Sequence, residues 1–410
     1  MSWASSPLRA QGEQFYMFDR RALFQAAAGI GGALTAFAGW RKAEAKLPKG
    51  SDLEPRGTDR RLERLPSLDV ESREDFLTQL RIWSGRDVRR VANRRANKIL
   101  KSKGLSPRDS MSYVEAAKLL EDDHIIGLSG RAWISVQQIM WKNLQDEFHS
   151  NGDAYLEELE AADTAGPGSV DLNPDMDIPM YAKHEIHMQP GGYVGDPLGG
   201  YVYHYGTNNF WQGRNYQDEM DQQLAESIPI PKDGKVKRIL HLGCSVGQLT
   251  CRIKEKYPDA EVWGLDVGGP MVRYAHMRAA DLDIDVHFAQ RLAEDTKFPD
   301  GHFDLVTSFL LFHEVTSEAA EQIIQEGYRL LRPGGVFFAR DHSDKPTTTT
   351  TAMAGYAQYW NWRWNHEVWM MDHLSNDYPK LMVGAGFDVD TETPGNYSGF
   401  GGNVMGVKPA

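Results

Sequence analysis

The string His241-Leu-Gly-Cys-Ser-Val-Gly247 joins an apolar run at 236–242 to a helical pattern at 248–256. A glycine turn between strand and helix suits ligand binding. Without a Cβ at Gly243 and Gly247 the backbone can pass close to a bound molecule, and the helix start offers free N–H groups. Asp266 closes the next apolar run, 261–265, and lies 19 residues after Gly247. A carboxylate there can accept hydrogen bonds from both ribose hydroxyls of an adenosine ligand, and the offset is close to the ~20 residues such folds use. Helix capping is the plainer role for Asp266. Downstream, His313 and Glu314 follow an apolar run at 303–308, and His342 stands beside Asp341 after a run at 336–340. Imidazole titrates near neutrality, so His313 and His342 are candidate general bases, with packing or capping as the plainer reading.

Three chemistries use a strand–glycine–helix turn. Gly243-Cys-Ser245-Val-Gly247 fits the nucleophile-elbow pattern of serine hydrolases, with Ser245 as nucleophile. That reading expects several strands and an oxyanion loop upstream, where this chain has a helical pattern. A nicotinamide-binding turn wants G-x-G-x-x-G, whereas these glycines are spaced G-x-x-x-G. Adenosine binding without a nicotinamide fits both the spacing and the acid.

The elements that must hold these residues alternate. Strand patterns at 236–242, 261–265, 285–288, 303–308 and 336–340 are interleaved with helical ones at 248–256 and 270–282. Such alternation predicts an α/β fold with a mostly parallel sheet and helices on both faces. Its ligands bind at the carboxyl ends of the strands, where strand order reverses. Upstream, helical spacing recurs at 75–83, 113–120 and 134–148, with Ser110 and Ser112 as candidate caps for the middle helix. Residues 59–165 read as a largely helical region. Residues 166–234 read as an irregular, aromatic-rich connector that either packs on the catalytic domain or lines its substrate pocket. Residues 235–410 form the α/β domain, with an insertion at about 342–378. There five threonines, 347–351, lead into a Trp- and Tyr-rich stretch suited to capping a flat or apolar substrate.

The first 45 residues stand apart. Arg20 and Arg21 precede an apolar stretch, 22–40, and Ala43-Glu-Ala45 is a small-residue cleavage pattern. This resembles a twin-arginine leader, and its length is near the ~20 residues of a membrane span; a buried alanine-rich helix is the plainer reading. Residues 46–58 read as a linker. Eight basic residues between Arg86 and Lys103 form a solvated face or a contact for anionic headgroups. The net charge of −12 argues against nucleic acid as a partner. With two cysteines, no disulfide framework is available, and no Cys/His cluster has zinc-site spacing, so no metal is expected.

Five segments together resemble the class I S-adenosylmethionine (SAM)-dependent methyltransferases, in the branch similar to the ubiquinone/menaquinone-biosynthesis enzymes. They are His241 to Gly247, Leu265-Asp266, Ala293-Glu-Asp295, Phe298 to Asp304 and Leu331-Arg-Pro-Gly-Gly335. The resemblance covers about 236–341, with a tail at 378–408 for the last two strands, and leaves half of the chain without a counterpart. It implies a Rossmann-like, seven-stranded sheet and SAM as cofactor. Gly243, Cys244 and Gly247 would cradle the methionine part, Asp266 would bind the ribose with Val267 beside the adenine, Leu292 and Ala293 would flank that ring, and Phe309 would sit near the sulfonium. Two positions depart from the family, which usually has acids where this chain has His241 and Leu292. The expected activity is methyl transfer to a small, apolar or aromatic acceptor at oxygen or carbon. A non-catalytic SAM-binding scaffold is the alternative those two departures suggest. SAM supply favours the cytoplasm, with the leader as a membrane tether; export is the alternative.

Overall fold

The computed structural model describes residues 61–65, 67–389 and 402–410. The leader and the linker expected at 46–58 lie outside the described residues. The helix Leu68–Trp83 contains the expected 75–83 and runs through a π-helical turn, Ser84–Val88, into Arg89–Ser102. That last helix buries Ala92, Ala96 and Leu100 and exposes its cationic residues; Arg86 and Arg90 pair with Asp87, and Arg95 with Asp123. Strand β1 (Ser110–Ser112) leads into the helix Tyr113–Leu120. Ser112 is the cap: its hydroxyl accepts from the Glu115 N–H while the Glu115 carboxylate accepts from its own N–H. Ser110, the other candidate, pairs with Thr351 instead. The pattern at 134–148 belongs to a longer helix, His124–Ser150.

The segment expected to be irregular holds β2 (Ser169–Asp171) and the helix Gly199–Phe210. The remaining strands follow: β3 (Arg238–Leu242), β4 (Glu261–Asp266), β5 (His287–Gln290), β6 (Phe303–Phe309), β7 (Leu331–Asp341), β8 (Thr349–Thr351), β9 (Asp388–Val389) and β10 (Gly402–Val407). All but β1 and β8 form one sheet of order β2-β5-β4-β3-β6-β7-β10-β9. Strands β2 to β7 in it run parallel, and β10 is antiparallel to both its neighbours. The sheet thus has eight strands, not the seven expected. The eighth is β2, which registers Ser169 to Asp171 against His287 to Ala289 and covers an edge that would otherwise be open. Order reverses at β3, which has β4 on one side and β6 on the other, so the ligand crevice opens beyond the ends of β3 and β6.

Both faces of the sheet are buried, as its continuous apolar runs require. Along β3, Leu240 and Leu242 join one apolar cluster with the helices Ser317–Leu330 and Tyr378–Ala385, while Ile239 joins another with Gln248–Lys256 and Gly269–Asp281. A third cluster sets Trp141, Leu144 and Phe148 of the long helix against Val246, Met271, Tyr274 and Met277 of the α/β part. The helical region therefore shares a core with the sheet layer. The threonine run extends as β8, which pairs with β1 and brings the helix Ala352–Trp364 against Tyr113–Leu120. The insertion is thereby joined to the helical region. Among the described residues no helix is long and apolar enough to cross a membrane.

Candidate active site

A cavity of about 370 Å³ opens at the switch point. The sheet supplies the turn after β3, Asp266 and Val267 at the end of β4, Phe309 to Leu311 and His313 to Val315 at and after the end of β6, and His342 after β7. The helical region supplies Arg81 and Trp133, the connector after it supplies His187 and Tyr193, and the insertion supplies Asn365 and Glu367.

At one end Asp266, 9% exposed, accepts from the Ser245 N–H at 2.9 Å and from the Gly268 N–H at 2.8 Å. Burial pushes its carboxyl up, against these backbone donors. The two bonds tie the end of β4 to the turn after β3 and hold the carboxylate at the cavity wall. Gly243, at φ +65°, lines the cavity. Gly247 does not. It too has a positive φ, +74°, but a Cβ there would meet Phe288 Cζ at 2.8 Å and Ala275 Cβ at 2.9 Å. Its role is close helix–sheet packing, not the close ligand approach expected for it. His241 Nδ1 lies 2.8 Å from Thr250 Oγ1, its buried Nε2 has no hydrogen-bond partner, and burial pushes the imidazole down to about 3. Cys244 and Val267 line the cavity as expected; Leu292 and Ala293 do not. Leu292 bridges to Asp295, and Ala293 packs on the core. Tyr181, whose hydroxyl donates to Glu294 at 2.5 Å, is a lining residue instead.

SAM fits these residues on two observations. Asp266 brings a buried carboxylate to the cavity one strand away from the glycine turn. His241, which lines the same cavity, is neutral and keeps a buried Nε2 without a hydrogen-bond partner. Phe309 and Trp211 stack with centroids 6.3 Å apart beyond the turn.

The other end of the cavity gathers imidazoles and carboxylates. His313 Nδ1 lies 2.8 Å from Asp341 Oδ1, and Asp341 also accepts from the Phe312 and His342 N–H groups. His342 packs edge-on to His313, 4.7 Å between ring centroids. Burial by itself would lower His313, but Asp341, Glu367 and Glu314 outweigh it and push the imidazole up to about 10. A protonated imidazole has no free lone pair, so His313 must give up its Nε2 proton before it can serve as a base or as a ligand. Burial pushes Glu314 up to about 8. Its Oε1 accepts from the Tyr193 hydroxyl at 3.2 Å and lies 3.6 Å from His313 Nε2 and 3.7 Å from His187 Nε2. His187 has a left-handed backbone, φ 52°, and its carbonyl is pinned by Gln137 Nε2 at 2.6 Å and Trp141 Nε1 at 2.9 Å.

Ser245, the alternative nucleophile, has φ 48°, but its side chain bonds with Tyr203; among the described residues no imidazole hydrogen-bonds it. The elbow conformation is present without the base a hydrolase needs. His187, Glu367 and Arg81 escaped the sequence reading, since each is contributed by a segment remote from the motifs. The only local signal was His184 and His187, spaced i, i+3. The aromatic stretch 200–216 divides by face: Tyr203, Phe210 and Trp211 line the cavity, while Tyr201 and Val202 pack in the helical core.

Residues 239–335 match the methyltransferase domain family. Over 109 residues the chain is 39% identical to a demethylmenaquinone methyltransferase of Thermus thermophilus, covering 27% of this chain and 49% of that one. Over 120 residues it is 32% identical to a ubiquinone/menaquinone biosynthesis C-methyltransferase of Pseudomonas savastanoi, covering 28% and 46%. The chain spans about half the length of the curated relatives it matches. Residues 239–335 are thus similar to class I SAM-dependent methyltransferases, in the quinone-biosynthesis branch.

Proposed function

We propose that this protein transfers a methyl group from SAM to a small, apolar or aromatic acceptor, at oxygen or carbon, inside this cavity. The observation that carries the reading is one continuous cavity with Asp266 and the glycine turn at one end and a cluster of imidazoles and carboxylates at the other. SAM, when bound, supplies a methyl carbon already activated by its sulfonium, so the protein has mainly to align and exclude water. Asp266 accepts from the ribose hydroxyls, and Gly243 and Cys244 pass their backbone along the methionine part. His241 Nε2 accepts from the amino group. The faces of Phe309 and Trp211 suit a sulfonium cation. Trp133, Phe210 and Tyr203 give the acceptor end flat apolar walls. His313, fixed by Asp341, faces the acceptor's nucleophilic atom with Nε2. Where the acceptor keeps a proton there, His342 and the carboxylates of Glu314 and Glu367 are the groups in reach. The acceptor is a small molecule, and a SAM-consuming enzyme belongs in the cytoplasm.

Titration calorimetry with SAM tests the cofactor half. Wild type should bind, and Asp266→Ala should bind about 100-fold more weakly, equivalent to ~3 kcal/mol, because truncation also strands two buried N–H groups. Wild-type protein that takes up no SAM would overturn the reading.

A further inference from the structure

We propose that His187, His313 and Glu367 bind a divalent transition-metal cation at the acceptor end of the cavity. One ligand atom from each lies within 4.8 Å of the other two. His187 Nδ1 is 3.1 Å from Glu367 Oε1, and Glu367 Oε2 is 3.8 Å from His313 Nε2. Each imidazole thus faces one of the two Glu367 oxygens at a distance near the ~3.4 Å edge of a tetrahedron whose metal–ligand bonds are about 2.1 Å.

An independent observation points to a ligand. Glu367 is only 5% exposed, and its Oε2 accepts no hydrogen bond. A buried carboxylate oxygen left without a donor is costly and rare, and a cation between it and the two imidazoles would satisfy it. The supporting contacts fit as well. Asp341 holds His313 through Nδ1 and leaves Nε2 facing the cluster, the carboxylate–histidine–metal arrangement. Arg81, the cation at this end of the cavity, opposes a second positive charge there. Its guanidinium lies over the rings of Trp133 and Phe210 at 3.6 and 4.4 Å. Against it stand the buried carboxylates of Glu367 and Asp341, and a metal on His313 replaces the Nε2 proton instead of adding to it.

Two imidazoles and one carboxylate suit zinc, iron, cobalt or nickel better than magnesium or calcium. Three protein ligands leave a position open, which Glu314 or an acceptor oxygen can fill. The cation's existence does not depend on the methyltransferase reading, but its role does: it would hold a hydroxyl or enol oxygen of the acceptor and favour its anion as the nucleophile, the proton passing to His342. The acceptor class is thereby narrowed to molecules with such an oxygen at, or conjugated to, the methylated atom.

The test uses the full chain, stripped with a chelator and loaded with Co²⁺ alone. After gel filtration, about one cobalt per chain is expected by elemental analysis, with a visible absorption of low-coordinate N/O ligation. Glu367→Gln and His187→Gln, both close in shape, should each lose that stoichiometry and absorption. Glu367→Gln should keep SAM binding by calorimetry, which also reports that it folds. Asp266→Ala should show the converse, retaining cobalt and weakening SAM binding about 100-fold. Wild type without stoichiometric cobalt, or cobalt that survives both glutamine variants, would overturn the site. Failure of SAM binding alone would overturn the methyltransferase reading and leave the cation site standing.

Discussion

The two glycines of the β3 turn look alike in sequence and do different work. Both adopt a positive φ, but Gly247 packs against ring and methyl carbons of the core whereas Gly243 faces the cavity, with the flexible end of Leu311 as its nearest neighbour at 2.9 Å. Replacing each by alanine should separate stability from binding. Gly247→Ala combines a left-handed backbone with two close contacts that cannot easily yield, and should cost about 2–4 kcal/mol. Gly243→Ala should cost about 1 kcal/mol, since Leu311 can rotate, but should weaken SAM binding about tenfold by intruding on the cavity. Urea denaturation and calorimetry on the two variants check this. Equal losses of stability would mean that the turn's two ends are equivalent.

At the scale of elements, a buried ion cluster anchors the entrance to the helix Glu219–Glu226. Asp218, fully buried, accepts from Arg278, from Arg61 at 2.8 Å and from Gln248 at 2.9 Å. It thus ties the chain at 61, the helix Gln248–Lys256 and the helix Gly269–Asp281 to one carboxylate. Burial alone would raise Asp218, but Arg278, His204 and Arg61 outweigh it and hold the carboxyl well below its usual range. Asp218→Asn keeps the shape and strands Arg278, so it should destabilise by about 3–5 kcal/mol at neutral pH. The folded pKa lies below the unfolded one. The charged pair's contribution is therefore complete above about pH 4 and fades as pH falls toward the folded value. The gap between wild type and Asp218→Asn should shrink below pH 4 in denaturation curves. A gap that stays constant down to pH 3 would show that the ion pair is not what stabilises this junction.

For the molecule as a whole, the helical region shares one core with the sheet layer. Trp141 is 1% exposed in the cluster shared with Val246 and Met271, its ring meets Phe210 edge-on, and its Nε1 donates to the His187 carbonyl. Trp141→Ala should cost about 3–5 kcal/mol, and should lower helical and sheet stability together. Far-UV dichroism and hydrogen exchange of β3 and β6 should report the same shift in midpoint. A sheet that keeps its wild-type midpoint while the helices melt early would show that the two parts fold separately. The same residue steadies the His187 loop, so the variant should also lose cobalt at temperatures where it remains folded.

The sequence by itself determined what short-range geometry encodes. A strand, a glycine bend, a helix and an acid at the next strand's end sit within about 30 consecutive residues, from Arg238 to Asp266. Backbone sterics and period-2 burial fix their mutual placement, and so the cavity wall of Gly243, Cys244 and Asp266 was legible before any fold was known, while Gly247, Leu292 and Ala293 lie away from it. The edge strand β2 was not, because three residues among prolines and glycines carry no pattern until a neighbouring strand supplies its hydrogen bonds. The acceptor end was decided by tertiary structure alone. His187 and Glu367 are 180 residues apart in the chain, and they meet because β8 pairs with β1 and the helical region packs on the sheet. The carboxyl groups that the fold gathers around His313 set its charge, and the same packing leaves Glu367 with an unsatisfied oxygen.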